Sequence, residues 1–201
     1  MGYSKFKKIK DVIKKFNLDM LSVRLFENIT SVEPSSWLAQ TLEIAKKLPI
    51  TNEKSKAERV ISPILTEVYE NYKDKLSFFS GEAININAKE NLSGECDFFF
   101  SLHPPKLYID SPIVSLIGGK KIAEYADKSY GLAQCAAQMY GAKLFNENEN
   151  KPMPFIYGCV TTGTDWQFLR LENDVYYVDN KIYTDLKEIL GVWHHVINLY
   201  L

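Results

Sequence analysis

Glu95 and Asp97 stand two residues apart in the otherwise apolar run Gly94-Glu-Cys-Asp-Phe98. On a strand both carboxylates project from one face, with Cys96 and Phe98 on the other. A polar pair inside so apolar a run needs a reason. Further along, Gly118-Gly119-Lys120-Lys121 closes a second apolar run. There Gly118 and Lys120 share one face of a strand, and Gly119 and Lys121 the other. If the two strands are neighbours, Asp97 and Lys120 converge at one edge of a sheet, beside Gly118, which contributes no side chain. An aspartate on one strand and a lysine on the next suit metal-assisted phosphodiester hydrolysis. Carboxylates hold Mg²⁺ while the lysine helps to lower the pKa of the attacking water. Spacing alone carries little weight, since such pairs on adjacent strands are common as plain ion pairs.

The competing constellations are weaker. His103, His194 and His195 suggest zinc, but a His-His dipeptide on a helix points its rings about 100° apart and has no cysteine or acid at ligand spacing. Leu116-Ile-Gly-Gly-Lys-Lys121 ends a strand as a phosphate loop does, yet its glycines are adjacent and Lys121 replaces the required Ser or Thr. A serine or cysteine hydrolase lacks its G-x-S-x-G elbow and any local Cys–His signature. Thr161, Thr162 and Thr164 offer hydroxyls around Gly163, but threonines in a hairpin are more often strand formers or turn hydrogen-bonders.

The elements that must position these residues follow from periodicity. Phe6, Ile9, Val12, Ile13 and Phe16 predict an amphipathic helix over 4–16 with a lysine-rich outer face, which ordinary solvation accounts for. A second helix is expected over 35–48, capped by Ser35 or Ser36. A third is expected over 55–73, bent or restarted at Pro63, with an apolar stripe from Val60 to Tyr72. Strand-like runs follow at 76–87, 94–102 and 112–117, the last nearly all apolar, as a central strand would be. An alanine-rich helix at 129–146 has a surface slim enough to lie close on a sheet. Strands at 155–162 and 166–171 flank a hairpin turn at Gly163-Thr-Asp165, a shorter strand is expected at 174–178, and a helix closes the chain at 184–200. This order predicts an α/β protein: a mixed central sheet flanked by helices.

At 201 residues the chain suits a single domain. Its net charge of −1 gives it no long-range pull on a polyanion, so a nucleic-acid surface has to come from local clusters of Lys and Arg. Cys96, Cys135 and Cys159 are odd in number and lack C-x-x-C spacing. They read as reduced core thiols in a cytoplasmic protein. The basic N-terminus has no apolar h-region, and no stretch approaches the roughly 18 apolar residues that span a bilayer, so no membrane partner is expected.

Residues 53–197 resemble an uncharacterised bacterial group within the PD-(D/E)XK, or restriction-endonuclease-like, nuclease superfamily. The resemblance rests, in order, on Ser55-Lys-Ala-Glu-Arg-Val-Ile-Ser-Pro-Ile-Leu65, Phe78-Phe-Ser-Gly81, Leu92-Ser-Gly-Glu-Cys-Asp-Phe98, Gly131-Leu-Ala-Gln-Cys-Ala-Ala-Gln-Met139, Tyr157-Gly-Cys-Val-Thr-Thr-Gly163 and Trp166-Gln-Phe-Leu169. It leaves residues 1–50 as a helical N-terminal extension. It implies a nuclease site with one or two Mg²⁺ (or Mn²⁺) ions and DNA as substrate, often in a homodimer. In that site Glu58 resembles the helix acid, Asp97 the strand aspartate, Lys120 the lysine and Gln134 the helix glutamine. The departure is at the E-x-K triplet, which reads Gly118-Gly119-Lys120, so Gly118 takes the place of a metal-ligand Glu. Mg²⁺ dehydrates reluctantly and depends on its few charged ligands, so losing one should weaken the site sharply. Glu95, on the face of Asp97, is a candidate substitute ligand, and Glu124 is another. Two readings follow: an Mg²⁺-dependent DNA endonuclease with impaired catalysis, or a non-catalytic nucleic-acid- or protein-binding module on a degenerate nuclease fold.

Overall fold

Seven strands form one mixed sheet in a computed structural model that describes residues 2–119 and 128–201. They are β1 (Asp19–Val23), β2 (Ser77–Ala83), β3 (Glu95–Ser101), β4 (Ile113–Gly119), β5 (Phe155–Thr161), β6 (Trp166–Glu172) and β7 (Val175–Asp179). Their order across the sheet is β1-β7-β6-β5-β4-β3-β2. β4 and β5 are parallel, as are β1 and β7, and the other neighbours are antiparallel. The expected mixed α/β architecture is therefore present. β1 lies inside the stretch read from sequence as helical. Four of its five residues are exposed, so Asp19-Met-Leu-Ser-Val23 has no alternation to reveal it. It forms because Asn17 ends the preceding helix in the left-handed region (φ 52°) and the chain then pairs with β7 from Asp19 opposite Val175.

The helices are α1 (Ile9–Phe16), α2 (Ser36–Ala45), α3 (Glu53–Lys56), α4 (Ser62–Glu70), α5 (Lys128–Asn148) and α6 (Leu186–Asn198). They cover both faces of the sheet, giving two core layers. On one, Val12 of α1 and Ala133, Ala136, Ala137 and Met139 of α5 pack with Phe99, Leu116, Leu169 and Tyr176. On the other, Leu38, Ile64, Leu65, Val68 and Trp193 pack with Phe98, Phe100, Ile117 and Phe168. Each large side chain so buried contributes about 1.5–3 kcal/mol before the entropy of ordering it is subtracted. The small residues of α5 matter for its closeness to the sheet. A Cβ on Gly158 of β5 would fall 2.3 Å from the Met139 sulfur and 2.9 Å from that of Cys135.

Two irregularities decide which side chains face which layer. In β4, Phe100 pairs with Ser115 but Ser101 pairs with Ile113, so Val114 is an extra residue, a β-bulge. Asn146 of α5 satisfies the backbone there. Its Oδ1 accepts the Ile113 N–H at 2.7 Å and its Nδ2 donates to the Ile113 carbonyl at 2.8 Å. In β3, Cys96 packs in the α1–α5 layer and Phe98 in the α4–α6 layer, although strict alternation would put both on one face. The phase changes at Asp97, across from Gly81 of β2, whose φ of +71° only glycine adopts readily. The expectation that Cys96 and Phe98 share a face is corrected by this break.

Candidate functional site

At the phase change in β3 the β3–β4 ladder has opened. Its last register pair is Phe98 with Ile117, and beyond it the half-buried Asp97 carboxylate takes over, Oδ2 accepting the Gly119 N–H at 2.7 Å. A carboxylate that accepts a backbone N–H is both satisfied and fixed in direction. It lines a cleft of about 480 Å³ whose walls include Glu53, Lys54, Ala57, Glu58, Ser80, Gly81, Glu95 and Gly119.

Glu58 enters this cleft from a π-helical turn, Ala57–Ile61, joining α3 to α4 without a break. The cause is Pro63. Proline has no N–H to donate to the Arg59 carbonyl, and its ring crowds that carbonyl. The chain widens one turn earlier, where the Ser62 N–H donates to Ala57 instead, five residues back. Such π turns are frequent at functional sites. Glu58 is exposed, with the Lys54 ammonium 3.9 Å away.

Glu95 comes to the cleft from the first position of β3, with Oε1 3.6 Å from where a Cβ on Gly81 would stand. Its backbone is held from the far layer, where the buried Gln138 donates Nε2–H to the Glu95 carbonyl at 3.2 Å. Gln134, the expected helix glutamine, lies one turn before Gln138 on α5 and does not line the cleft. The cleft thus brings together Asp97, Glu58 and Glu95. Lys120 and Glu124 lie outside the described residues.

The glycine that matters changes identity. Gly118 pairs with Val160, which packs in the α1–α5 layer, and directly paired residues face the same way. Gly119 faces the other layer: a Cβ there would lie 3.2 Å from the Ile61 Cδ1 and 3.8 Å from the Asp97 Oδ2. The position beside Asp97 that lacks a side chain is therefore Gly119. Alternation counted in each run separately points to Gly118 instead, because the phase break at Asp97 and the bulge at Val114 are not visible that way. Sequence reasoning also missed Lys54, whose i, i+4 spacing from Glu58 on a helix is the signal for it, and gave Ser80 and Gly81 no role although both stand in the Phe78-Phe-Ser-Gly81 match.

The donor chemistry of the cleft suits a hard cation, since Asp97, Glu58 and Glu95 offer carboxylate oxygens. The spacing does not complete a site. Among the described residues no group of three or more His, Cys, Asp or Glu lies close enough to hold an ion. One oxygen of Asp97 is already engaged with Gly119. The histidines are structural. His103 contacts the Ser77 hydroxyl and the Pro104 and Asp110 carbonyls, His194 Nδ1 lies 2.8 Å from the Tyr72 hydroxyl, and His195 packs edge-on to Phe26. None of the three cysteines forms a disulfide and all are buried, and burial pushes the thiols of Cys96 and Cys159 far up, which leaves them unreactive.

Fold and cleft together define an α/β protein with a seven-stranded mixed sheet and an acidic cleft where two of its strands part. Among known proteins, no family model and no curated sequence matches the chain. No helix among the described residues is long and apolar enough to cross a membrane.

Proposed function

We propose that the chain is a PD-(D/E)XK-type domain, of the lineage of Mg²⁺-dependent DNA endonucleases, whose cleft engages DNA and whose hydrolysis is impaired by the glycine at position 119. The observation that carries this reading is the Asp97 carboxylate held at the parting of β3 and β4, with Glu58 and Glu95 in the same cleft and an open position at Gly119. In this reading Asp97 is the central ligand for Mg²⁺ or Mn²⁺, and Glu58 or Glu95 the second. When bound, the ion supplies charge neutralisation and an acidified water at the phosphate. With a carboxylate missing, it binds weakly. The proposed lysine partner is Lys120 or its neighbour Lys121, both outside the described residues. The second reading, a non-catalytic nucleic-acid- or protein-binding module, is favoured by the Asp97 oxygen already engaged by the Gly119 N–H.

Cleavage of plasmid and linear DNA with Mg²⁺ or Mn²⁺ separates the two. The proposed domain cuts slowly, Asp97→Ala abolishes the cutting, and Gly119→Glu increases it. If neither the native chain nor Gly119→Glu cuts with either metal, the endonuclease lineage loses its chemical support.

A further inference from the structure

The net charge of −1 conceals a segregation. The first 16 residues carry six lysines against one aspartate, while the rest of the chain carries 18 basic against 24 acidic residues. All six lysines, at positions 5, 7, 8, 10, 14 and 15, are exposed. Lys15 pairs with Glu90 at 2.9 Å, whereas Lys5, Lys8, Lys10 and Lys14 have no acid partner among the described residues. Such a charge block on a folded element is an electrostatic footprint for a polyanion.

The footprint is anchored at its first residues, while α1 itself packs in the α1–α5 layer, on the face of the sheet opposite the cleft. Tyr3 donates its N–H to the Ser93 carbonyl at 3.1 Å and its hydroxyl to the Ile84 carbonyl at 3.0 Å, strapping the N-terminus to the β2–β3 connection. Gly2 packs so closely on Ser93 that a Cβ would fall 1.7 Å from the Ser93 oxygen. Ser93 is two residues before Glu95, which lines the cleft, so strap and cleft are about 7 Å apart along an extended chain. Four carboxylates of the cleft repel a phosphate backbone, and a cationic surface elsewhere on the same molecule offsets that repulsion.

Resting on the nuclease-lineage reading for its choice of polyanion, we infer that the lysine face of the N-terminal segment is a surface that holds a phosphodiester backbone, on the side of the sheet opposite the Asp97 cleft. A basic amphipathic helix also suits an anionic membrane. Here the apolar side needed for insertion is occupied: Ile9 and Val12 are buried, and Phe16 stacks on Tyr140 at 4.4 Å between ring centres. The cationic side alone is exposed, which favours nucleic acid.

The test is fluorescence anisotropy of labelled duplex and single-stranded DNA with the full chain, in EDTA so that no cutting intervenes, over a salt series. Replacing Lys5, Lys8, Lys10 and Lys14 together by Gln should weaken binding at least about tenfold and flatten the log–log salt dependence by about 0.9 for each phosphate no longer neutralised. The four-fold Arg variant should bind as the native chain does, and circular dichroism checks that both variants fold. Isotherms for the Gln variant that superimpose on the native ones overturn the inference. So does native binding to phosphatidylserine vesicles without binding to either DNA. The two proposals fail separately. Lysine-dependent binding with no cutting by any variant removes only the hydrolytic reading, and Asp97-dependent cutting with lysine-independent binding removes only this one.

Discussion

The Asp97 carboxylate accepts the Gly119 N–H at 2.7 Å, just past the point where the β3–β4 ladder ends. This bond both aims the acid and marks the open position. A Cβ at Gly119 would press on the Ile61 Cδ1 at 3.2 Å, a methyl at the free end of a flexible side chain, and would stand 3.8 Å from Asp97. A carboxylate could therefore be built there with a small shift of Ile61.

Gly119→Glu should raise metal-dependent DNA cleavage about tenfold or more, the scale on which even outer partners of a metal site act. Gly118→Glu should not, because that position faces the α1–α5 layer and buries its charge among apolar side chains. Rates of plasmid nicking for the two variants check this, and a gain confined to Gly118→Glu would reverse the assignment.

Asp97→Ala removes the acceptor for the Gly119 N–H and should lower stability by about 1.5–3 kcal/mol, the range for a hydrogen bond to a charged group. Asp97→Asn keeps an acceptor and should recover most of that loss without recovering cleavage. Urea unfolding midpoints measured alongside activity distinguish the structural from the chemical contribution.

Asn146→Ala leaves both backbone groups of Ile113 without their side-chain partner at the β4 bulge. With two buried groups affected, a loss of about 2–4 kcal/mol is expected from urea unfolding. DNA binding by whatever remains folded should be unchanged, since Asn146 lies on α5 and does not line the cleft.

Burial depresses the pKa of His194 below the ordinary histidine value, against a smaller opposing pull from the Glu67 carboxylate. The unfolded chain then binds a proton more readily than the folded one. Stability is full above about pH 6.5 and is lost as the pH falls through the depressed folded value. The melting temperature should therefore drop on acidification through this window more in the native protein than in His194→Gln. Parallel curves for the two would remove His194 as the cause.

Much of this architecture was legible in the residues. The helices over 35–48 and 184–200, the strands from residue 76 onward and the alanine-rich helix all form close to their expected bounds, because each carries its own apolar period. Asp97 and Glu95 were singled out by type and spacing and Glu58 by the resemblance alone, and the cleft brings the three together. β1 was not legible, since a mostly exposed edge strand has no pattern and depends on pairing with β7 across the length of the chain.

Local order thus belonged to the sequence: period, caps, turn glycines and the proline that forces the π turn are properties of neighbouring residues. Facing belonged to the tertiary structure. Whether Gly118 or Gly119 stands beside Asp97 depends on where alternation breaks in two different strands, at Gly81–Asp97 and at Val114. A one-residue change of phase moves a side chain to the other face of a sheet, and only the assembled register shows where that change occurs.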